Sequence, residues 1–440
     1  MNKISGFSKL SKVEKIEWLK SQVASDDQKF LNCIESYWHP DSGKQKLFDE
    51  FSENTVSNFI FPYGLAPNFS INDKMYTIPL VIEESSVVAA ASKSAKFWLD
   101  RGGFKTRVLS TNKVGHIHFI WKVDKKKLFN FFNLNKSALL FSVKDLVSNM
   151  EKRGGGVVDL VLKDKTSELD NYFQVEGKFE TCDAMGANFI NSVLEVMAGR
   201  LQELALEYES FSDSEKDLEV VMSILSNYTP ECVVSAYVEC PVSELGDFPN
   251  GMNAEMFAKR FERAVKIAKV DISRAVTHNK GIFNGIDAVV VATGNDFRAI
   301  EACGHAYAAR DGQYRGLSSC TLDDGIFRFE LTLPMALGTV GGLTSLHPMA
   351  KTTLEILGQP DAKELMQIVA VVGLAQNFGA LRSLTTTGIQ QGHMKMHLLN
   401  ILNQLEASDE QIAYAKDYFT DKTVTFSNVR DLVNSTKHLQ

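Results

Sequence analysis

The chain has 440 residues, 44% of them hydrophobic and 23% charged, the mix of an ordinary globular protein with material for a large core. Its net charge of −7 argues against nucleic acid as the main partner, because a phosphate backbone selects a basic face. Six scattered cysteines with no CxxC pair suit reduced thiols in a cytoplasm, and with no leader-like start and no apolar run of ~18 residues, neither export nor a membrane span is expected.

Residues 1–50 read as helical, with Ser11 and Glu14 spaced as a capping box. Turn and strand material follows at 62–78, where Asn72-Asp73 is a hairpin turn candidate. A strand at 78–82 then runs into Glu83-Glu84, and an alanine-rich helix at 87–100 stops at Gly102-Gly103. Apolar and polar residues alternate over 107–123, which predicts strands. Next come a helix at 136–153, a strand at 157–162, a strand at 174–181 and a long helix at 189–209. This strand–helix–strand–strand–helix–strand order is ferredoxin-like, and strands at 220–225 and 232–238 are expected to close the unit. Beyond Met256 the chain returns to helix, and the β-branched run 288–292 reads as a buried strand between two polar turns, one carrying Lys280 and the other Asp296. Asp296 stands where it would cap a helix at 297–310. A strand at 326–333, a glycine-rich turn at 338–342 and helices at 361–384 and 388–405 complete the body, ahead of a polar helical tail. The layers make this an α+β protein.

Several residue types bear on chemistry, and each has a bland alternative. Glu84 follows a strand end, where partial burial would raise its pKa and suit it to general acid work; acids at a helix start also simply complement the dipole. The stretch 183–188 (Asp183, Met185, Gly186, Ala187, Asn188) opens a helix with small residues that let backbone N–H groups approach a phosphate, or that only cap it. No GxGxxG occurs, so a Rossmann pocket is unsupported. His393 and His397 share a helix face at zinc-pair spacing, but methionine follows the first where a metalloprotease needs glutamate; a lone proton-donating histidine fits better than a metal site. Arg274 can hold a carboxylate bidentately or lie free on the surface.

Taken together, EESSVVAAAS (83–92), DAMGAN (183–188), RAVTHNKGIFNG (274–285), ATGND (292–296), GGLTSLHP (341–348) and GIQQGHM (388–394) resemble the class II (bacterial-type) 3-hydroxy-3-methylglutaryl-coenzyme A (HMG-CoA) reductases. The resemblance runs in order from residue 52 to about residue 400 and implies a division of the chain. A large substrate domain would be built from 1–108 and 229–384, with an inserted ferredoxin-like dinucleotide-binding domain at 109–228 and a C-terminal helical flap at 385–440. It implies a cytoplasmic homodimer, or an oligomer of dimers, with active sites at the subunit interface and neither a metal nor nucleic acid nor a membrane as partner. The implied reaction reduces HMG-CoA twice with hydride from NAD(P)H, giving mevalonate and CoA. By the same resemblance Glu84, Lys280, Asp296 and His393 are catalytic, Lys280 holding the oxyanion, Asp296 orienting Lys280, Glu84 donating a proton in aldehyde reduction and His393 protonating the CoA thiolate. Ser86, Asn227, Arg274 and Asn284 match substrate contacts, and Asp183, Met185, Gly186, Ala187 and Asn188 match the dinucleotide turn.

The chain departs from the family pattern in places. Ser85 replaces the usual proline after the catalytic glutamate, and Ser8-Lys9 stands where one branch has a CoA-binding arginine. Val147 stands where an NADH-preferring branch has an aspartate that reads the ribose 2′-hydroxyl, which tilts the reading to NADPH with NADH as the alternative. The competing functions are a non-catalytic CoA- or nucleotide-binding relative, disfavoured by the intact quartet, and a zinc hydrolase built on His393 and His397.

Overall fold

The computed structural model describes residues 3–23, 27–388, 398–420, 422 and 424–436. They divide into two compact units, 1–62 and 63–440. The first holds α1 (Lys12–Gln22), α2 (Asp27–Ser36) and α3 (Ser42–Asp49). Ser11 and Glu14 close the capping box on α1 that their spacing predicts.

In the second unit β1 (Tyr63–Ile71) and β2 (Lys74–Val81) form an antiparallel hairpin. Asn72 and Asp73, with φ of 46° and 67°, supply the left-handed pair that such a tight turn requires. α4 (Val87–Leu99) follows, then β3 (Lys105–Val108), β4 (Lys113–Trp121), α5 (Lys125–Ser142), α6 (Lys144–Glu151), β5 (Gly156–Asp164), β6 (Tyr172–Glu180), α7 (Ala187–Glu207) and β7 (Leu218–Leu225). The single helix read over 136–153 is thus two, broken at Val143. β4 to β7 make a four-stranded antiparallel sheet in the order β5-β6-β4-β7, the ferredoxin-like arrangement. Alternation decides its faces: Ile117, Phe119 and Trp121 of β4 turn inward onto α5 and α7, whereas His116 and His118 do not. Burying each of these large side chains contributes about 1.5–3 kcal/mol.

The chain continues through β8 (Val233–Pro241), α8 (Ala254–Val270), α9 (Ile272–Ala292), α10 (Phe297–Ala308), β9 (Ser318–Asp323), β10 (Ile326–Pro334), α11 (Gly342–Leu346), α12 (Pro348–Ile356) and α13 (Ala362–Thr385). β8 does not close the ferredoxin-like sheet, contrary to expectation. It pairs with β3 and β10 in a second sheet, ordered β3-β8-β10-β9. Beneath that sheet lies the main core, with α9 and α13 through its middle. By length and composition α13 could cross a bilayer, but 78% of its apolar window is buried inside the protein, as in a core helix. Leu398, Ile401 and Leu402 form a third, small core with the helices Asp409–Tyr418 and Phe426–Ser435.

The largest correction concerns 288–292. This run is the last part of α9, not a strand. Ala275, Ile282, Ile286, Val289 and Val290 are buried at helical spacing, and α9 is packed by β2, α8, α10 and α13. Packing on so many sides overrides the local preference of three consecutive valines for extended backbone.

Candidate active site

Lys280 projects from the first half of α9 rather than from a loop. Its position is fixed by the two residues before it. His278 is buried, with Nε2 2.6 Å from Ser318 Oγ, and that hydroxyl donates to Asn377 Oδ1 on α13 at 2.8 Å. Asn279, also buried, donates to the Arg315 carbonyl and accepts from the Leu317 amide. Burial, reinforced by the nearby positive charges of Arg274 and Lys269, pushes the His278 imidazole down to about 3. It is therefore a neutral structural strut at physiological pH, unsuited to proton donation.

Glu84 lies in the turn between β2 and α4. Lys280 Nζ donates to Glu84 Oε2 at 2.6 Å, and Asn284 Nδ2, one turn along α9, donates to the same oxygen at 3.3 Å. Three of the sequence-predicted residues therefore converge. The Lys280 and Glu84 side chains are 58% and 41% exposed, so within one chain the pair faces solvent. An ion pair this open adds only about 0–1 kcal/mol to stability. Ser86 ends the same turn in left-handed backbone (φ 77°); its carbonyl accepts from Ala90 while its hydroxyl makes no capping bond. Arg274 is half-buried in the first turn of α9, where the Asp271 carboxylate caps its amide.

Asp296 is not beside Lys280. It caps α10, accepting from the amides of Arg298 and Ala299, and pairs with the Arg298 guanidinium at 3.1 Å. Burial pushes its carboxyl up, but the Arg298 and backbone hydrogen bonds outweigh that and leave it below its ordinary value. From Lys280 to the end of α9 the helix rises roughly 18 Å, more than the two side chains can bridge. Within one chain, therefore, Asp296 does not reach the lysine that the resemblance has it orient.

The stretch 183–188 is held from several directions. Asp183 Oδ1 accepts from the Ala362 amide at the start of α13, and its carbonyl accepts from Thr339. The buried Lys113 ammonium donates to Thr181 Oγ1 at 2.6 Å and to the Ala184 carbonyl at 3.3 Å. Gly186 caps α7 with φ 94°, and a Cβ there would lie 2.5 Å from the Thr181 methyl group, so only glycine fits. Ala187 and Asn188 open α7, and no side chain caps the helix, so its first N–H groups stand open to an anion. Met185 and Asn227 line one cleft together with Lys113, Ser226 and Cys303. A dinucleotide phosphate fits this donor set. His393, and His397 with it, lies outside the described residues. Among the described residues no group of three His, Cys, Asp or Glu could hold a metal ion.

Sequence reasoning missed the struts His278–Ser318–Asn377 and Lys113–Thr181, and a carboxyl pair, Asp287 with Glu301. One signal was present: Lys280, Asn284 and Asp287 fall at i, i+4 and i+7, a single helical stripe.

Comparison with known proteins agrees with this geometry. The family model described as hydroxymethylglutaryl-coenzyme A reductase matches residues 13–398. A 3-hydroxy-3-methylglutaryl-coenzyme A reductase of Archaeoglobus fulgidus is 34% identical, over 93% of this chain and 89% of its own. A protein described as a probable reductase of the same name, from Borreliella burgdorferi, is 31% identical over 95% and 92%. Among solved structures, the 3-hydroxy-3-methylglutaryl-coenzyme A reductase of Streptococcus pneumoniae superposes with a TM-score of 0.72 at 36% identity, covering 99% of this chain and all of that one. A class II reductase structure from the same organism, bound to NADPH in open conformations, gives 0.71 at 38% identity over 87% of this chain and all of that one. The chain thus belongs to the class II HMG-CoA reductases, NAD(P)H-dependent oxidoreductases that act on 3-hydroxy-3-methylglutaryl-coenzyme A.

Proposed function

We propose that the Lys280 ammonium stabilises the oxyanion formed when the thioester of HMG-CoA, and then the resulting aldehyde, accepts hydride. The observation that carries this is the convergence of Lys280 and Asn284 on Glu84 Oε2. A fixed cation at the reacting oxygen lowers the barrier most when water is excluded. Glu84, already hydrogen-bonded to the amine, is placed to give a proton to the alkoxide during aldehyde reduction. Arg274 and Asn284 hold the substrate's carboxylate and hydroxyl end, with Ser86 and Asn227 as further contacts. His393 protonates the departing CoA thiolate, a downhill transfer given a thiol pKa of about 8.5. The products are mevalonate and CoA.

The nicotinamide dinucleotide supplies the hydride when bound. Asp183, Met185, Gly186, Ala187 and Asn188 would hold it at the α7 N-terminus, within a dinucleotide-binding domain at 109–228. Residues 385–440 act as a flap over the site. We read NADPH as the preferred donor, because Val147 offers no acid to repel a 2′-phosphate; the NADPH carried by the pneumococcal relative supports this.

The working unit is a homodimer. The open Glu84–Lys280 pair needs cover, and Asp296 is beyond reach within the chain, so the Asp296 of a second copy completes the site and orients the lysine. The dispersed cysteines support a cytoplasmic setting. An absorbance assay with HMG-CoA and each reduced dinucleotide tests the reading. HMG-CoA-dependent oxidation with a lower KM for NADPH is expected; oxidation of neither donor would overturn the function, and a lower KM for NADH would overturn the preference.

A further inference from the structure

α10 folds back along α9, and the contacts between them come in layers. Phe283 fills the space left by Gly304, where a Cβ would lie 2.3 Å from the ring, and its ring stands 4.8 Å from that of His305. One turn further along α9, and one turn back along α10, Asp287 meets Glu301. At the open end the chain turns through 293–296 to Asp296. The carboxyl pair therefore sits between the Lys280 end of α9 and the turn that presents Asp296.

Asp287 Oδ1 is buried with no hydrogen-bond partner, an arrangement that a bare carboxylate does not tolerate. Among the described residues of the elements packed most closely against α9 (β2, α4, α8, α10, α12 and α13), the charged group that bears on Asp287 is Glu301 of α10. The other charges nearby act elsewhere: Glu84 with Lys280 two turns away, and Arg274 and Lys269 on His278. Burial first, then the neighbouring Glu301 carboxyl, push the Asp287 carboxyl up to about 8. Two carboxyl groups in contact in such a place hold one proton between them.

We propose that Asp287 and Glu301 are a positioning pair, two carboxyl groups bridged by one shared proton that fasten α10 to α9 and so set the Asp296 turn relative to the Lys280 stripe. The proposal rests on the oxyanion role of Lys280 and the second-copy role of Asp296 given above. Neither carboxyl touches substrate. With the proton in place, one carboxyl donates to the other across the helix interface. When it is lost, two negative charges share a half-buried site and the helices part. A shift of about 1 Å at a catalytic group can slow turnover by roughly a hundredfold.

The test is kcat and KM against pH for the wild type, Asp287→Asn, Glu301→Gln and Asp287→Ala, with infrared difference spectra of the protonated-carboxyl stretch. The wild type is expected to lose kcat on the alkaline side, with KM little changed. Either amide, which donates without titrating, should shift that limb upward, remove the protonated-carboxyl band and keep activity that Asp287→Ala loses by about tenfold to a hundredfold. The pair is refuted if both amide variants keep the wild-type pH profile, or if the band survives in both. A wild type with no HMG-CoA-dependent oxidation at any pH would instead refute the catalytic reading, and the infrared band would still report on the pair.

Discussion

At the residue scale, acids and bases separate by where the backbone puts them. Glu84 and Lys280 meet at 2.6 Å in the open, while His278, two residues from the lysine, is sealed in and neutral. Sequence alone gave these three residues no such difference, because burial is set by β9 and α13, which are distant along the chain. His393→Gln should slow turnover of HMG-CoA far more than reduction of free mevaldehyde, since only the thioester releases a thiolate; steady-state rates on both substrates check this, and equal losses would remove its acid role. Asp287 gives a stability prediction with a definite sign. Unfolded, its carboxyl titrates near 4, whereas in the native pair it titrates at about 8. Between those values the native state holds a proton that the unfolded state has released, so stability from this group declines as pH rises and is gone above the upper value. Asp287→Asn does not titrate. Its melting temperature should therefore gain on the wild type as pH increases through that window and run parallel beyond it, which scanning calorimetry at a series of pH values would measure.

At the scale of elements, the ferredoxin-like sheet was legible because its strands alternate cleanly and one face of each is covered by helix. The hairpin at Asn72-Asp73 and the helices α4, α7 and α13 were legible from turn chemistry and periodicity. α9 was not. Its valines mimic a strand, and what makes it helical is the company of α13 and β2 rather than its own propensity. The consequence reached the site, because Lys280 and the valine run share one rigid helix, which carries the lysine on the same stripe as Asn284 and leaves Asp296 beyond its far end. Gly285 shows how tight that company is: a Cβ there would fall 2.7 Å from the Val372 carbonyl and 3.0 Å from Gln376 Cβ. Gly285→Val should force α9 from α13, lower stability by about 1–3 kcal/mol in denaturant titration, and reduce kcat by displacing the lysine. Unchanged stability would mean that the helices do not pack this closely.

At the scale of the molecule, Glu84 and Lys280 lie 196 residues apart in sequence, and their convergence depends on a core that no local pattern describes. The resemblance to a family supplied the roles; the fold supplied the finding that one chain pairs Glu84 with Lys280 but holds Asp296 elsewhere. Mixing two inactive variants tests the proposed need for a second copy. Lys280→Ala and Asp296→Ala, refolded or co-expressed together, should form mixed dimers that recover about a quarter of wild-type activity, since each mixed dimer keeps one intact site and such dimers make up about half the population. No recovery, with mixed dimers demonstrated, would place both residues in one chain's site. The most direct measurement is single-turnover reduction of bound HMG-CoA by Lys280→Ala, with substrate affinity measured alongside. If the amine holds the oxyanion, hydride transfer should fall by about a hundredfold to a thousandfold or more while HMG-CoA binding changes little. Hydride transfer at close to the wild-type rate would contradict the account.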